Sequence, residues 1–155
     1  MSPRTALVVV ALLLLTFAIV SPHGSSSKGP YNADPIRTPG VLNPDVTQAT
    51  IDTTICVHGW TKTIRPPTSY TNGLKQKQMR EYRVGGSLSD YQEDHLISLE
   101  LGGHPTDPRN LWPEPYPRAS AVDTIENDLN SKVCSGSLTL ESAQLKESTL
   151  KHSDG

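Results

Sequence analysis

Apolar positions recur along this chain in three patterns, and each predicts a different element. From Ala6 to Val20 the run is continuous, broken only by Thr16. From His95 to Leu101 it alternates: Leu96, Ser98 and Glu100 fall on one side, His95, Ile97, Leu99 and Leu101 on the other. That spacing predicts a strand, entered from a loop-like Tyr91-Gln92-Glu93. Val122, Ile125, Leu129 and Val133 recur at helical spacing beside a polar stripe of Asp123, Asn127 and Asn130. They predict a helix with Ser120 as N-cap and Asp123 as a capping-box variant. Between strand and helix, Gly102-Gly103 predicts a turn with positive φ and Pro105 to Arg109 a loop. Asn110-Leu111-Trp112 reads as a short returning strand stopped by Pro113 and Pro115. A final helix is expected over Leu140 to Leu150.

Upstream, Thr53 to Trp60 is a β-prone run ended by Gly59. Thr61 to Asn72 contains Pro66-Pro67 and reads as extended or loop. Gly73 to Tyr82 has the composition of a short basic helix with Leu74, Met79 and Tyr82 as its apolar residues. The expected fold class is α+β: a hairpin and helix as the core, an N-terminal strand and helix before it, and a C-terminal helix after it.

The continuous run at the N-terminus follows Arg4 and has the length of a signal-peptide core, too short for a comfortable membrane span. Residues 1–24 are therefore read as an export signal. Ser21-Pro22-His23-Gly24 offers no clean cleavage pattern, so an uncleaved anchor is the alternative, and the only expected route to a membrane. Residues 25–52, rich in Pro, Gly, Ser and Asn, read as an irregular linker. Residues 53–150 are the expected domain, a size suited to one core.

The net charge of −2 conceals an uneven distribution. Thr53 to Gln92 holds six bases against two acids, and Glu93 to Gly155 holds eleven acids against five bases. Such a split suits a protein that meets a polyanion on one face and holds a cation on another. Lys75, Lys77, Arg80 and Arg83 are the candidates for tracking phosphates. The two cysteines, Cys56 and Cys134, form an even count in an exported chain and predict a disulfide over two free thiols. Without a CxxC spacing they argue against a thiol-built zinc site.

Hydrolysing a phosphodiester with one metal ion requires a base at neutral pH, for which histidine suits, and a hard divalent cation held by oxygen. Asp94 and His95 supply both residue types, yet adjacent strand residues point to opposite faces, so they act together only where a strand starts or bulges. A second ligand would come from the helix that carries Asn127 and Asn130. His58 is read as structural, His104 as solvent-exposed and Trp112 as a core anchor.

Asp94-His95-Leu-Ile-Ser-Leu-Glu-Leu-Gly-Gly103 followed by Asn110-Leu-Trp-Pro-Glu114 resembles the HNH nuclease motif and, more narrowly, small exported bacterial HNH-like proteins. Cys56-Val-His-Gly-Trp60 with Arg65-Pro-Pro67, and Glu126-Asn-Asp-Leu-Asn130 with Val133-Cys134-Ser-Gly136, extend the likeness over Thr53 to Gln144. The resemblance implies a ββα-metal fold, His95 as general base, Asp94 as metal ligand and Asn110 as the residue that holds the loop and base in place. The third motif residue is ordinarily a helix histidine, and Asn130 stands at the matching position, with Asn127 in reserve. That departure favours Mg²⁺ or Mn²⁺ over Zn²⁺, or a site without activity. The implied function is metal-dependent hydrolysis of nucleic acid, DNA favoured over RNA, with no small-molecule cofactor. Two rivals stand beside it: a catalytically degenerate module that binds nucleic acid or another polyanion, and a disulfide-stapled interaction protein.

Overall fold

The computed structural model describes residues 32–153. The expected export signal over 1–24 lies outside them. The fold is α+β, as expected. Two short helices, α1 (Trp60–Ile64) and α2 (Thr68–Glu81), precede a hairpin of β1 (Tyr91–His95) and β2 (Leu111–Pro115); α3 (Tyr116–Cys134) and α4 (Leu140–His152) follow. The strands pair antiparallel, with Asp94 opposite Trp112 and His95 opposite Leu111.

The hairpin's first strand runs earlier than the alternation predicts. Tyr91-Gln92-Glu93, expected as loop, is strand, and the chain leaves the ladder after His95. Leu96, Ile97, Ser98, Leu99 and Leu101 are all buried, and the last of these lie in a 3₁₀ turn over Leu99–Leu101. Side chains replace strand partners there. Asn110 Oδ1 accepts from the Ile97 N–H at 3.0 Å and its Nδ2 donates to the Ile97 carbonyl at 3.0 Å. The Glu147 carboxyl accepts the Ser98 N–H at 2.9 and 3.0 Å. Leu96 then packs with Ala33, Tyr82 and Trp112, whereas Ile97 joins Val46, Ile51, Ile55, Leu101, Leu129 and Val133 in a second cluster. Gly102 takes φ +79°, and a Cβ on Gly103 would lie 1.7 Å from the Ile97 oxygen, so this turn admits no side chain there.

The returning strand includes both prolines that were expected to stop it. Residues two apart point their N–H groups the same way, and a two-stranded sheet leaves one edge of each strand unpaired. The following helix starts at Tyr116 with Pro115 as its N-cap, five residues before the expected N-cap Ser120. Its buried stripe is Ala119, Val122, Glu126, Leu129 and Val133; Ile125, expected inside, is 40% exposed.

The β-prone run from Thr53 to Trp60 forms no strand. Its backbone closes on itself through turns, with the N–H groups of Thr54 and Cys56 both donating to the Ile51 carbonyl. Ile55 is buried all the same, which explains part of the apolar signal. The expected loop before α2 is mostly helical, because α1 ends at Ile64 and α2 begins at Thr68, directly after Pro67. Within the expected linker, Ala33, Thr38, Asn43 and Val46 are buried and Leu42 bridges to Gly103, so residues 32–50 belong to the folded body. The disulfide is present: Cys56 joins Cys134 across 78 residues, tying the turn before α1 to the end of α3. Closing a loop of that size contributes about 4 kcal/mol in the chain-entropy model. Such a bond fits an extracytoplasmic protein. Among the described residues no helix is long and apolar enough to cross a membrane.

Candidate functional site

The end of β1, the 3₁₀ turn after it, the Cys56 turn and one face of α3 enclose a cleft of about 610 Å³. Asp94, His95, Asn127 and Asn130 all line it. Asp94 and His95 are the last two residues of the strand, where the pleat no longer holds them to opposite faces.

His95 is fixed by the loop that follows the glycine turn. Its Nε2 lies 3.0 Å from the Pro105 carbonyl, and since a carbonyl only accepts, Nε2 carries the proton and Nδ1 keeps its lone pair. Burial lowers the imidazole pKa below 6.5, with the Pro105 bond and Asp94 opposing in part. The ring is therefore neutral at pH 7. Asn110, wholly buried, holds that loop, donating to the His104 carbonyl at 3.1 Å as well as clasping Ile97. His104 is not solvent-exposed as expected; it is half-buried, and its Nδ1 accepts from the N–H groups of Thr106 and Asp107.

Asp94 faces a cation that belongs to the chain. Lys151 Nζ donates to Asp94 Oδ2 at 2.9 Å, to Glu126 Oε1 at 2.6 Å and to the His95 carbonyl, with Glu147 Oε1 at 3.3 Å. Burial by itself would raise the Asp94 carboxyl, but the Lys151 ammonium holds it well below the usual carboxylate range. The other acids go the opposite way. Burial, reinforced by Asp94, pushes Glu114 and Glu126 up to about 9 and Glu93 up to about 8. Lys151 is raised well above its ordinary value, because the four carboxyls around it outweigh its own burial.

The expected ligands of a divalent ion have suitable chemistry, since carboxylate and amide oxygens suit Mg²⁺ and Mn²⁺. At Asp94, however, both oxygens are already engaged, so the set does not fit an ion there as it stands. Asp94 Oδ2 is taken by Lys151 and Oδ1 accepts from Gln92 Nε2 at 3.2 Å. Asn130 Nδ2 donates to the Glu100 carbonyl at 2.7 Å and Asn127 Nδ2 to the Asp123 carbonyl at 2.7 Å, bonds that orient the amides without engaging the side-chain oxygens an ion would use. Among the described residues no three His, Cys, Asp or Glu side chains are grouped to hold a metal ion.

The expected phosphate-tracking bases do not line this cleft. Lys75 is buried and donates to the Tyr91 carbonyl at 2.8 Å, so it buttresses β1. Lys77 lies on the outer face of α2 beside Glu81, at 3.6 Å, and Arg80 and Arg83 are exposed. The base that does line the cleft is Arg65, exposed there, with its charge lowering the carboxyls of Glu100 and Asp123 against their burial. His58, expected to be structural, is exposed on the cleft wall, and Trp112 is wholly buried as the expected core anchor.

Sequence reasoning missed Arg65, Glu126 and Lys151 as site residues. Arg65 stands just ahead of the double proline, and Glu126 lies one turn before Asn130. Lys151 had a weaker signal: Leu140, Ala143, Glu147 and Lys151 follow one helical stripe, which places an oppositely charged i, i+4 pair on the apolar face. Comparison with family models, curated proteins and solved structures gave no match for this chain.

Proposed function

We propose that the cleft hydrolyses nucleic-acid phosphodiesters, outside the cytoplasm and with DNA favoured over RNA, using His95 in the general-base role that the HNH-like resemblance implies. The observation that carries this reading is the His95 imidazole, neutral at pH 7 and held through Nε2 so that Nδ1 is the proton acceptor. Water attacks phosphorus, its proton passes to Nδ1, and the departing oxygen takes a proton from solvent. Arg65, the exposed guanidinium on the cleft wall, whose charge acts on the Glu100 and Asp123 carboxyls beside it, would meet the phosphate. Asn110 keeps the His95 loop in register, the role expected of the motif asparagine. Mg²⁺ or Mn²⁺ is the cation class its oxygen donors would take, and no step is assigned to one.

One observation favours the rival reading of a binding module: Lys151 on Asp94 answers the charge that a metal ion would otherwise answer. Nicking of supercoiled plasmid by the purified protein separates the two, run with Mg²⁺, with Mn²⁺ and with EDTA. Nicking by the wild type that falls at least a hundredfold in His95→Ala is the expected outcome. Plasmid retained by both proteins but cut by neither would leave the binding module. Equal cutting by both would remove His95 as the base.

A further inference from the structure

We propose that Lys151 is the resident cation of this site, occupying the position at Asp94 and Glu126 that a divalent ion would need. The geometry is that of a filled cation site. An ammonium has three N–H bonds, and here they go to Asp94 Oδ2, Glu126 Oε1 and the His95 carbonyl oxygen. Glu147 Oε1 supplies a fourth oxygen at 3.3 Å. The four oxygens come from β1, α3 and α4, so the ammonium is gripped by separate elements and is wholly buried. Lysine is a compact point charge on a flexible stem, which makes it the side chain able to stand in for a small ion.

The consequence is competition. A divalent ion that takes Asp94 Oδ2 must displace an ammonium that already has all its donors satisfied, and the expelled charge would have to leave a fully buried position; one that takes Oδ1 must displace the Gln92 amide and sit beside that ammonium. Divalent ions therefore bind this cleft weakly, and α4 rather than an added metal sets the charge beside His95. The inference stands whether or not the cleft cuts nucleic acid, and its test uses no nucleic acid.

Mn²⁺ binding to the full chain at pH 7, read by the loss of the free-ion electron paramagnetic resonance signal and by calorimetry, tests it. Lys151→Met should bind Mn²⁺ at least tenfold more tightly than the wild type, and adding Asp94→Asn should abolish that gain. Glu147→Gln combined with Lys151→Met retains an oxygen acceptor for the Ser98 N–H and lowers the number of buried acids, so it carries the measurement if the single variant does not fold. Asp94→Asn alone should leave the wild-type Mn²⁺ affinity unchanged. The proposal is overturned if removing the ammonium leaves the affinity the same or weaker. It is equally overturned if Asp94→Asn alone weakens Mn²⁺ binding tenfold, because Asp94 would then already be a metal ligand.

Discussion

Lys151 Nζ lies 2.9 Å from Asp94 Oδ2, and 57 residues of chain separate the two. This contact joins the last helix to the end of the first strand, with Glu126 of α3 as a third party. Buried ion pairs contribute little net stability, yet removing one partner leaves uncompensated charge in the interior. Lys151→Met should therefore lose about 3–5 kcal/mol at pH 7 in urea denaturation. The same variant should regain much of that loss at pH 5, where the abandoned carboxyls take up protons. An equal loss at both pH values would show that packing of the lysine stem, and not its charge, matters.

The pH dependence of the wild type follows from the same cluster. Glu114 and Glu126, pushed up to about 9, bind protons in the folded state that the unfolded chain releases near its ordinary carboxylate value of about 4.3. Their contribution is present at low pH and is lost as pH rises toward 9. Asp94 acts oppositely, and its contribution disappears as pH falls below the ordinary aspartate range. Stability should peak in mildly acid solution, with the melting temperature several degrees higher at pH 5 than at pH 8.5. A flat profile over that interval, measured calorimetrically, would contradict the assignment of protons to these two glutamates.

If His95 is the base, activity must vanish as pH falls through its folded pKa, which burial places below 6.5. The acid limb of kcat/KM should accordingly lie below pH 6.5. Asn substituted for Asp94 removes a carboxylate that favours the imidazolium, so this limb should move to still lower pH. A limb above 6.5 would point to a different base.

Asn110 makes three hydrogen bonds to the backbone on both sides of the glycine turn, two of them buried and one partly so. Asn110→Ala should cost about 3 kcal/mol, since buried peptide groups are left without partners. Asn110→Asp is the sharper variant: it keeps the size and one acceptor but cannot donate to the Ile97 and His104 carbonyls. Thermal denaturation should rank it close to the alanine variant. Stability near wild type for Asn110→Asp would mean that the donor bonds matter little.

Much of this molecule is local and therefore readable along the chain. The glycine turn, the helix over α4 and the class of fold rest on spacing and turn chemistry. The disulfide between Cys56 and Cys134 follows from an even count of two. Where the readings erred, a distant partner had replaced a local one. The alternation after His95 suggested a strand, but Asn110 and Glu147 took the backbone bonds that a neighbouring strand would have made. The β-prone run before Trp60 closed into turns, its N–H groups donating to carbonyls a few residues back.

By itself, then, the sequence determined which residues are able to do chemistry and roughly where chain reversals fall, because those depend on side-chain type and on backbone freedom over a few residues. Tertiary structure alone decided which charges meet. Whether Lys75 faces solvent or a carbonyl, whether Arg65 has a partner, and whether Asp94 faces water, a metal ion or Lys151 are properties of the enclosed space between elements. A buried charge takes its state from whatever neighbours exclude water from it, and those neighbours come from all along the chain.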